Sequence, residues 1–314
     1  MGGAAAHVTR RRTAAAGALV AAAAAVLAWA LAYPQASLGP TAVRVLADCA
    51  AVATLGLTVL PMLDGERYRG ELLTRATRPL VAASGLWLLA ELTRALVAAA
   101  QAAEVPIGRL GVQTTIEFVT ATAAGRASGL AVVAAALVGG AVLLAPRSGS
   151  SNMVVAGVAA IGVAARQLTG HLSESPLGGL AVTVHTLAAA LWCGALAALV
   201  LTVDHRGQWA RMLPRFSQLS LVCVLVLLVG GAVGAVARLD SPVELYATGY
   251  GRLLSAKIAL TVALVVIGWR NRTMWLAAAR SHRASAVVSR TRSRVETTLM
   301  IVAVALAAGL AVTG

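Results

Sequence analysis

The sequence predicts an all-α membrane protein, a polytopic bundle of about nine transmembrane helices. Three observations predict it. Apolar residues make up 59% of the 314 residues and charged ones only 12%, with a mean hydropathy of +0.82. A soluble domain carries roughly 25% charged and 45–50% apolar residues. Apolar windows of roughly 20 residues, long enough to cross a bilayer, recur along the whole chain, and the charged residues gather in the short stretches between them. Lipid offers no hydrogen bonds, and a helix satisfies its backbone polar groups within one segment.

The predicted spans are 13–33, 41–60, 79–103, 126–145, 152–170, 178–203, 216–238, 253–270 and 297–313. Ala, Leu, Val and Gly dominate them, and small residues let neighbouring helices approach closely. The first span follows Arg10, Arg11 and Arg12 and ends in Ala28-Trp29-Ala30, which mimics a cleavable signal peptide. Its apolar stretch exceeds the usual signal core of about 7–15 residues, so it reads as an uncleaved first helix.

The arginines set the orientation. With the N-terminus in the cytoplasm, the cytoplasmic face holds Arg10, Arg11, Arg12, Arg67, Arg69, Arg75, Arg78, Arg147, Arg206, Arg211, Arg215, Arg270, Arg272, Arg280, Arg283, Arg290, Arg292 and Arg294. The outer face holds only Arg109, Arg126, Arg166, Arg238 and Arg252. The positive-inside rule then predicts a cytoplasmic N-terminus and, with nine spans, an outer C-terminus. Lys257 is the only lysine, a bias that reads, with the abundant alanine, as genomic composition. The net charge of +14 does not indicate a nucleic-acid partner, because it is dispersed in short loops. Its most basic stretch, residues 280–294, suits anionic lipid head groups.

One internal repeat is visible. Ala121-Thr-Ala-Ala-Gly-Arg126 precedes the fourth span and Ala247-Thr-Gly-Tyr-Gly-Arg252 the eighth. The repeat predicts two four-helix halves in the same orientation, followed by a final helix. The halves are residues 1–150 and 151–314, the second including that last helix, in one membrane unit.

No Walker loop, dinucleotide fingerprint, GxSxG or HExxH is present, so no enzyme activity is expected. The three cysteines, Cys49, Cys193 and Cys223, fall inside apolar windows without close pairing, which suits buried inert thiols. The informative residues are polar groups at membrane depth, where charge is costly. His7, His205 and His282 lie at cytoplasmic segments and read as solvated. His171 ends the fifth span and His185 lies inside the sixth, both toward the outer face. Two imidazoles on adjoining helices suit copper, zinc or haem iron, while two unrelated histidines bonded inside the bundle remain the plainer reading. Cys193 is eight residues from His185, about 12 Å along the helix, so the two cannot share an ion, and Trp192 reads as packing. Arg44 with Asp48, and Glu91 with Arg94, have helical pair spacing and can neutralise one another locally. Glu91 and its neighbours could also line an ion or proton path. Lys257 enters the eighth span and could snorkel outward.

With those residues in view, the sixth to eighth spans resemble the CopD/PcoD family of copper-resistance membrane proteins. The resemblance is carried by His185-Thr-Leu-Ala-Ala-Ala-Leu-Trp192-Cys-Gly194, by Gly170-His171, by Pro214-Arg-Phe216-Ser and by Tyr250-Gly-Arg-Leu-Leu-Ser-Ala-Lys257. It implies copper transport and homeostasis at the cytoplasmic membrane of a bacterium, with His171 and His185 as copper ligands. It also implies a periplasmic copper carrier as partner. In some relatives the module is fused to a CtaG-like cytochrome oxidase assembly module, and the short final span fits the first part of such a fusion. The chain departs from the pattern in lacking Met- or Cys-rich outer motifs. The alternatives are a haem-binding membrane cytochrome using the same histidines and a scaffold for oxidase assembly.

Overall fold

A computed structural model describes residues 2–169, 176–238, 244–275 and 286–313. Among them every regular element is helical: α1 (Gly2–Ala32), α2 (Leu38–Leu63), α3 (Glu66–Ala102), α4 (Val112–Ala121), α5 (Ala123–Leu144), α6 (Gly149–Ala165), α7 (Pro176–Thr202), α8 (Arg206–Arg238), α9 (Glu244–Ala247), α10 (Gly249–Arg270) and α11 (Ala286–Thr313). Eight of these are long and apolar enough to cross a membrane: α1, α2, α3, α5, α7, α8, α10 and α11. The predicted fifth span is α6, apolar but only 17 residues long, and a 3-10 turn, Arg166–Thr169, continues it.

Four helices outrun their predicted spans by ten or more residues at one end. α1 begins at Gly2 rather than 13, α3 at Glu66 rather than 79, α8 at Arg206 rather than 216, and α11 at Ala286 rather than 297. A hydropathy window marks the lipid-facing stretch, whereas the helix itself continues through its arginine-bearing turns into the polar layer. Pro79 and Pro214 lie inside these extended helices. The short helix α4 was not expected; it leads into α5 across Thr122.

α2 is the centre of the bundle, packing against α1, α3, α6, α7 and α11. Its closest approach is to α7. A methyl group on Gly56 would lie 1.9 Å from the Gly194 carbonyl oxygen, and one on Gly194 would lie 2.2 Å from the Val52 carbonyl oxygen. Only glycine on both helices allows the backbones to touch. Around this crossing, Leu55, Leu57, Leu60, Trp192, Leu196 and Leu199 form the buried core.

The arginine-rich end is a clamp. Asp64, after α2, faces Arg211 and Arg215 of α8, each at 3.3 Å, and the Arg211 guanidinium lies 3.9 Å from the centroid of the Tyr68 ring. Asp204, between α7 and α8, joins Arg75 of α3 at 3.0 Å to Arg290 of α11 at 2.9 Å. Arg147 donates to the Leu73 carbonyl at 2.9 Å and also bonds Asn152, whose amide donates to the Thr58 carbonyl at 2.6 Å.

The sequence repeat is also a local structural repeat. Thr122 and Thr248 are the N-caps of α5 and α10, and each hydroxyl accepts from the backbone N–H three residues on, at 2.8 Å from Gly125 and 2.9 Å from Gly251. The two arginines then diverge. Arg126 donates to the carbonyls of Thr120 and Ala121, while Arg252 reaches across to Leu31 and Tyr33, holding α10 to the end of α1.

The glycine crossing generates a stability test. Gly56→Ala forces a methyl group into backbone and should lower the thermal midpoint in detergent by more than ordinary overpacking, which costs about 1–3 kcal/mol. Gly39→Ala, at a site with nothing within 4 Å, should leave the midpoint unchanged. Equal midpoints for the two variants would show that the helices do not touch there.

Candidate functional site

The polar groups predicted as two local pairs are parts of one buried network. Arg44 and Asp48 share a face of α2, and Trp87, Glu91 and Arg94 share a face of α3, by their i, i+3 and i+4 spacings. Arg166 follows the last residue of α6 and opens its 3-10 turn. These positions lie toward the same end of the bundle, opposite the arginine-rich clamp, near where α2 begins, α3 ends and α6 ends.

Glu91 is fully buried and uses both carboxylate oxygens. Oε2 accepts from Arg94 Nε at 2.9 Å. Oε1 accepts from Trp87 Nε1 at 3.2 Å and faces an Arg166 guanidinium nitrogen at 3.0 Å. Arg166, its side chain 6% exposed, also bonds Asp48, which lies 3.8 Å from Arg44 Nε. Arg94 donates onward to the Ser128 hydroxyl of α5 at 3.0 Å. Trp87, which orients Glu91, is seated by Gly162 of α6, where an added methyl group would lie 2.6 Å from the indole.

Both predicted pairs form, and Arg166 joins them into one network. Arg166 was placed with the outer loops, yet it falls inside the predicted fifth span, and an arginine within an apolar window was the signal that it turns inward. The network holds three guanidinium groups against two carboxylates, a net positive charge. Such ions are tolerable at this depth only when paired and hydrogen-bonded.

His185 lies on α7, nine residues past Pro176. Its ring packs on α8, where a methyl group on Gly230 would sit 3.1 Å from Nδ1 and one on Gly231 would sit 3.8 Å from Cε1. The Leu227 carbonyl faces the imidazole, but Nδ1 is buried without hydrogen-bond geometry to any group. Lys257 on α10 is half-buried, within electrostatic range of His185 and Cys193, and among the described residues it pairs with no carboxylate. Cys193 and Cys223 are buried, Cys49 is half-buried, and all three are free thiols. Trp192 is buried in the core, as expected of a packing residue. His205 is exposed. His171 and His282 lie outside the described residues, so the expected pairing of His171 with His185 does too. Among the described residues no group of three or more His, Cys, Asp or Glu is placed to hold a metal ion.

Residues 210–310 match the family described as Copper resistance protein D, and residues 35–178 match the Copper resistance protein D-like N-terminal domain. The chain is also similar to the Copper transport protein CutJ of Bacillus subtilis (strain 168), 32% identical over 114 residues. That match covers 33% of this chain and 21% of the relative, so the chain spans about a fifth of that protein's length. No solved structure matches. The ion-pair network lies within the N-terminal match and Lys257 within the C-terminal one, while His185 falls between the two.

Removing Arg166 should uncover both carboxylates at once. Arg166→Gln should cost about 3–5 kcal/mol, the range for breaking a buried pair, whereas Arg109→Gln, at an exposed position, should be silent. Adding Asp48→Asn to Arg166→Gln should recover part of the lost folded yield by removing the unpaired charge. A double variant no better than the single would show that Arg166 and Asp48 are not coupled.

Proposed function

Since the chain belongs to the copper resistance protein D family, we propose that it moves copper across the cytoplasmic membrane of a bacterium. The observation that carries this reading is His185, an imidazole inside the bundle whose buried Nδ1 makes no well-formed hydrogen bond, with the Leu227 carbonyl facing the ring. Imidazole suits copper, and a desolvated ring nitrogen without a partner can accept a metal without first giving up a bond. His171 supplies the second imidazole from the segment before α7. Cys193 and Cys223, deeper in the bundle, offer softer donors for copper as Cu(I). Copper enters from the outer face, delivered by an extracytoplasmic carrier, and the arginine-rich end faces the cytoplasm.

The ion-pair network plays a different part. Its two carboxylates are both engaged by arginines, so neither is free to bind a metal cation. It holds α2, α3, α5 and α6 as a frame, and copper passes on the side of α7, α8 and α10.

His185→Gln should fold and insert, because the amide keeps the size and polarity of the ring, yet lose bound copper and copper-dependent growth effects. His171→Gln should do the same, while His205→Gln should match the wild type. Wild-type copper content in purified His185→Gln would overturn the site. A Soret band in the purified wild type would replace copper with haem.

The orientation has its own check. A cysteine at Ser281 should resist a membrane-impermeant thiol reagent in intact cells, and one at Ser173 should react. The reverse pattern would invert the topology.

A further inference from the structure

At the arginine-rich end, α11 carries a carboxyl group that neither the clamp nor the ion-pair network uses. Glu296 lies on α11 in the candidate span Val287–Thr313, one residue before the predicted lipid-facing stretch, and is 4% exposed. One hydrogen bond reaches it, from Asn271 Nδ2 to Oε2 at 3.2 Å. Its other oxygen faces Gly268 of α10, where an added methyl group would sit 3.9 Å away. Ser293 is three residues earlier on the same face of α11; it is fully buried and its hydroxyl has no partner. Asn271 opens a π-helical turn, Asn271–Trp275, a rare distortion that recurs at functional sites.

Among the described residues no cation pairs with Glu296; the arginines at this end of the surrounding helices whose side chains are described are engaged or exposed, and Lys257 lies 14 residues before Asn271, about 21 Å along a helix. On α11, Arg290 is held by Asp204 and Arg294 by Thr13 of α1. In the π-helical turn after α10, Arg272 is held by Ser217 of α8. Arg211 and Arg215 of α8 are held by Asp64, next to α2. Arg12, Arg270 and Arg292 are exposed. Asp48 and Glu91, by contrast, each lie against arginine. An ionised carboxylate with one amide donor is expensive at this depth. One acid, one amide and one hydroxyl are too few oxygen ligands for calcium or magnesium, and they lack the soft donors that favour copper as Cu(I).

We propose that Glu296 and Asn271 form a proton-binding site between α10 and α11, and that copper movement is coupled to the proton this carboxyl takes up and releases. The coupling rests on the copper-transport reading; the proton site does not. With α10 and α11 closed, Glu296 holds the proton and is neutral. When the turn at Asn271 moves and water enters, the proton passes from the carboxyl to water at the arginine-rich end. The Ser293 hydroxyl, free in the closed state, donates to the carboxylate left behind.

Infrared spectroscopy of the purified protein in lipid tests the site directly. The wild type near neutral pH should show the absorption of a neutral carboxylic acid, and Glu296→Gln should lose it. If the two spectra agree in that region, the site is not protonated and the proposal fails. Asn271→Leu keeps the acid but removes its hydrogen bond, so it should shift the same band, and it decides the matter if Glu296→Gln does not accumulate. In proteoliposomes loaded for copper flux, wild-type rates should vary with pH and Glu296→Gln rates should be lower and flat, with bound copper retained. An unchanged pH profile in Glu296→Gln overturns the coupling. A wild type that moves no copper overturns the transport reading, and the infrared result still decides the proton site.

Discussion

Arg166 held between Asp48 and Glu91 is the constraint on which the N-terminal part of the bundle depends. A guanidinium with 6% exposure cannot stay in lipid without partners, and its partners come from two other helices. The register of α6 against α2 and α3 is therefore set by one side chain. Trp87 fits against Gly162 and fixes Glu91, and Ser128 receives the spare donor of Arg94, so α5 joins the same assembly. Apolar packing alone would let Ala- and Leu-rich helices slide past one another at little cost, since lipid tails are as apolar as leucine. A buried ion network permits one register only, because any slip strands a charge.

The opposite end is fixed by different chemistry. There the arginines are near water and their pairings are individually worth little, but they are numerous and each links separate helices. Asp204 joins α3 to α11, and Asp64 joins α2 to α8. Between the two polar layers the bundle is held by close contact, with Gly56 against Gly194 at its tightest point. The result is a frame around α2, with α7 against it and α8 and α10 beyond. His185 lies on α7 facing away from that frame, against glycines of α8. The path proposed for copper thus lies beside this frame, and the proposed proton site sits at its far end, between α10 and α11.

The helical membrane fold was legible because lipid imposes it. Any chain with such recurrent apolar windows must bury its backbone polar groups within helices, and no partner needs to be known to say so. The same holds for the local features: the pair spacings of Arg44 with Asp48 and of Glu91 with Arg94, the six-residue repeat before α5 and α10, which the structure shows to be a threonine cap, and the depth of His185 in its helix. Each follows from 3.6 residues per turn or from a cap that spans three residues. Helix length was less legible, since α1, α3, α8 and α11 continue past the point where hydropathy falls.

What only the tertiary structure decided is which side chains meet across helices. Arg166 is 118 residues from Asp48 and 75 from Glu91 in the chain, so no periodicity connects them; the connection exists because α6 lies against α2. Glu296 reads in the sequence as one polar residue near a basic loop, and becomes a buried acid only because α10 places Asn271 against it and directs the arginines elsewhere. The setting of His185 likewise depends on Gly230 of α8, whose missing side chain lets the ring approach that helix. Sequence by itself determined the helices, their polar faces and the family, because these rest on local spacing and on the demands of lipid. The sites rest on contacts between helices, which only their packing could decide.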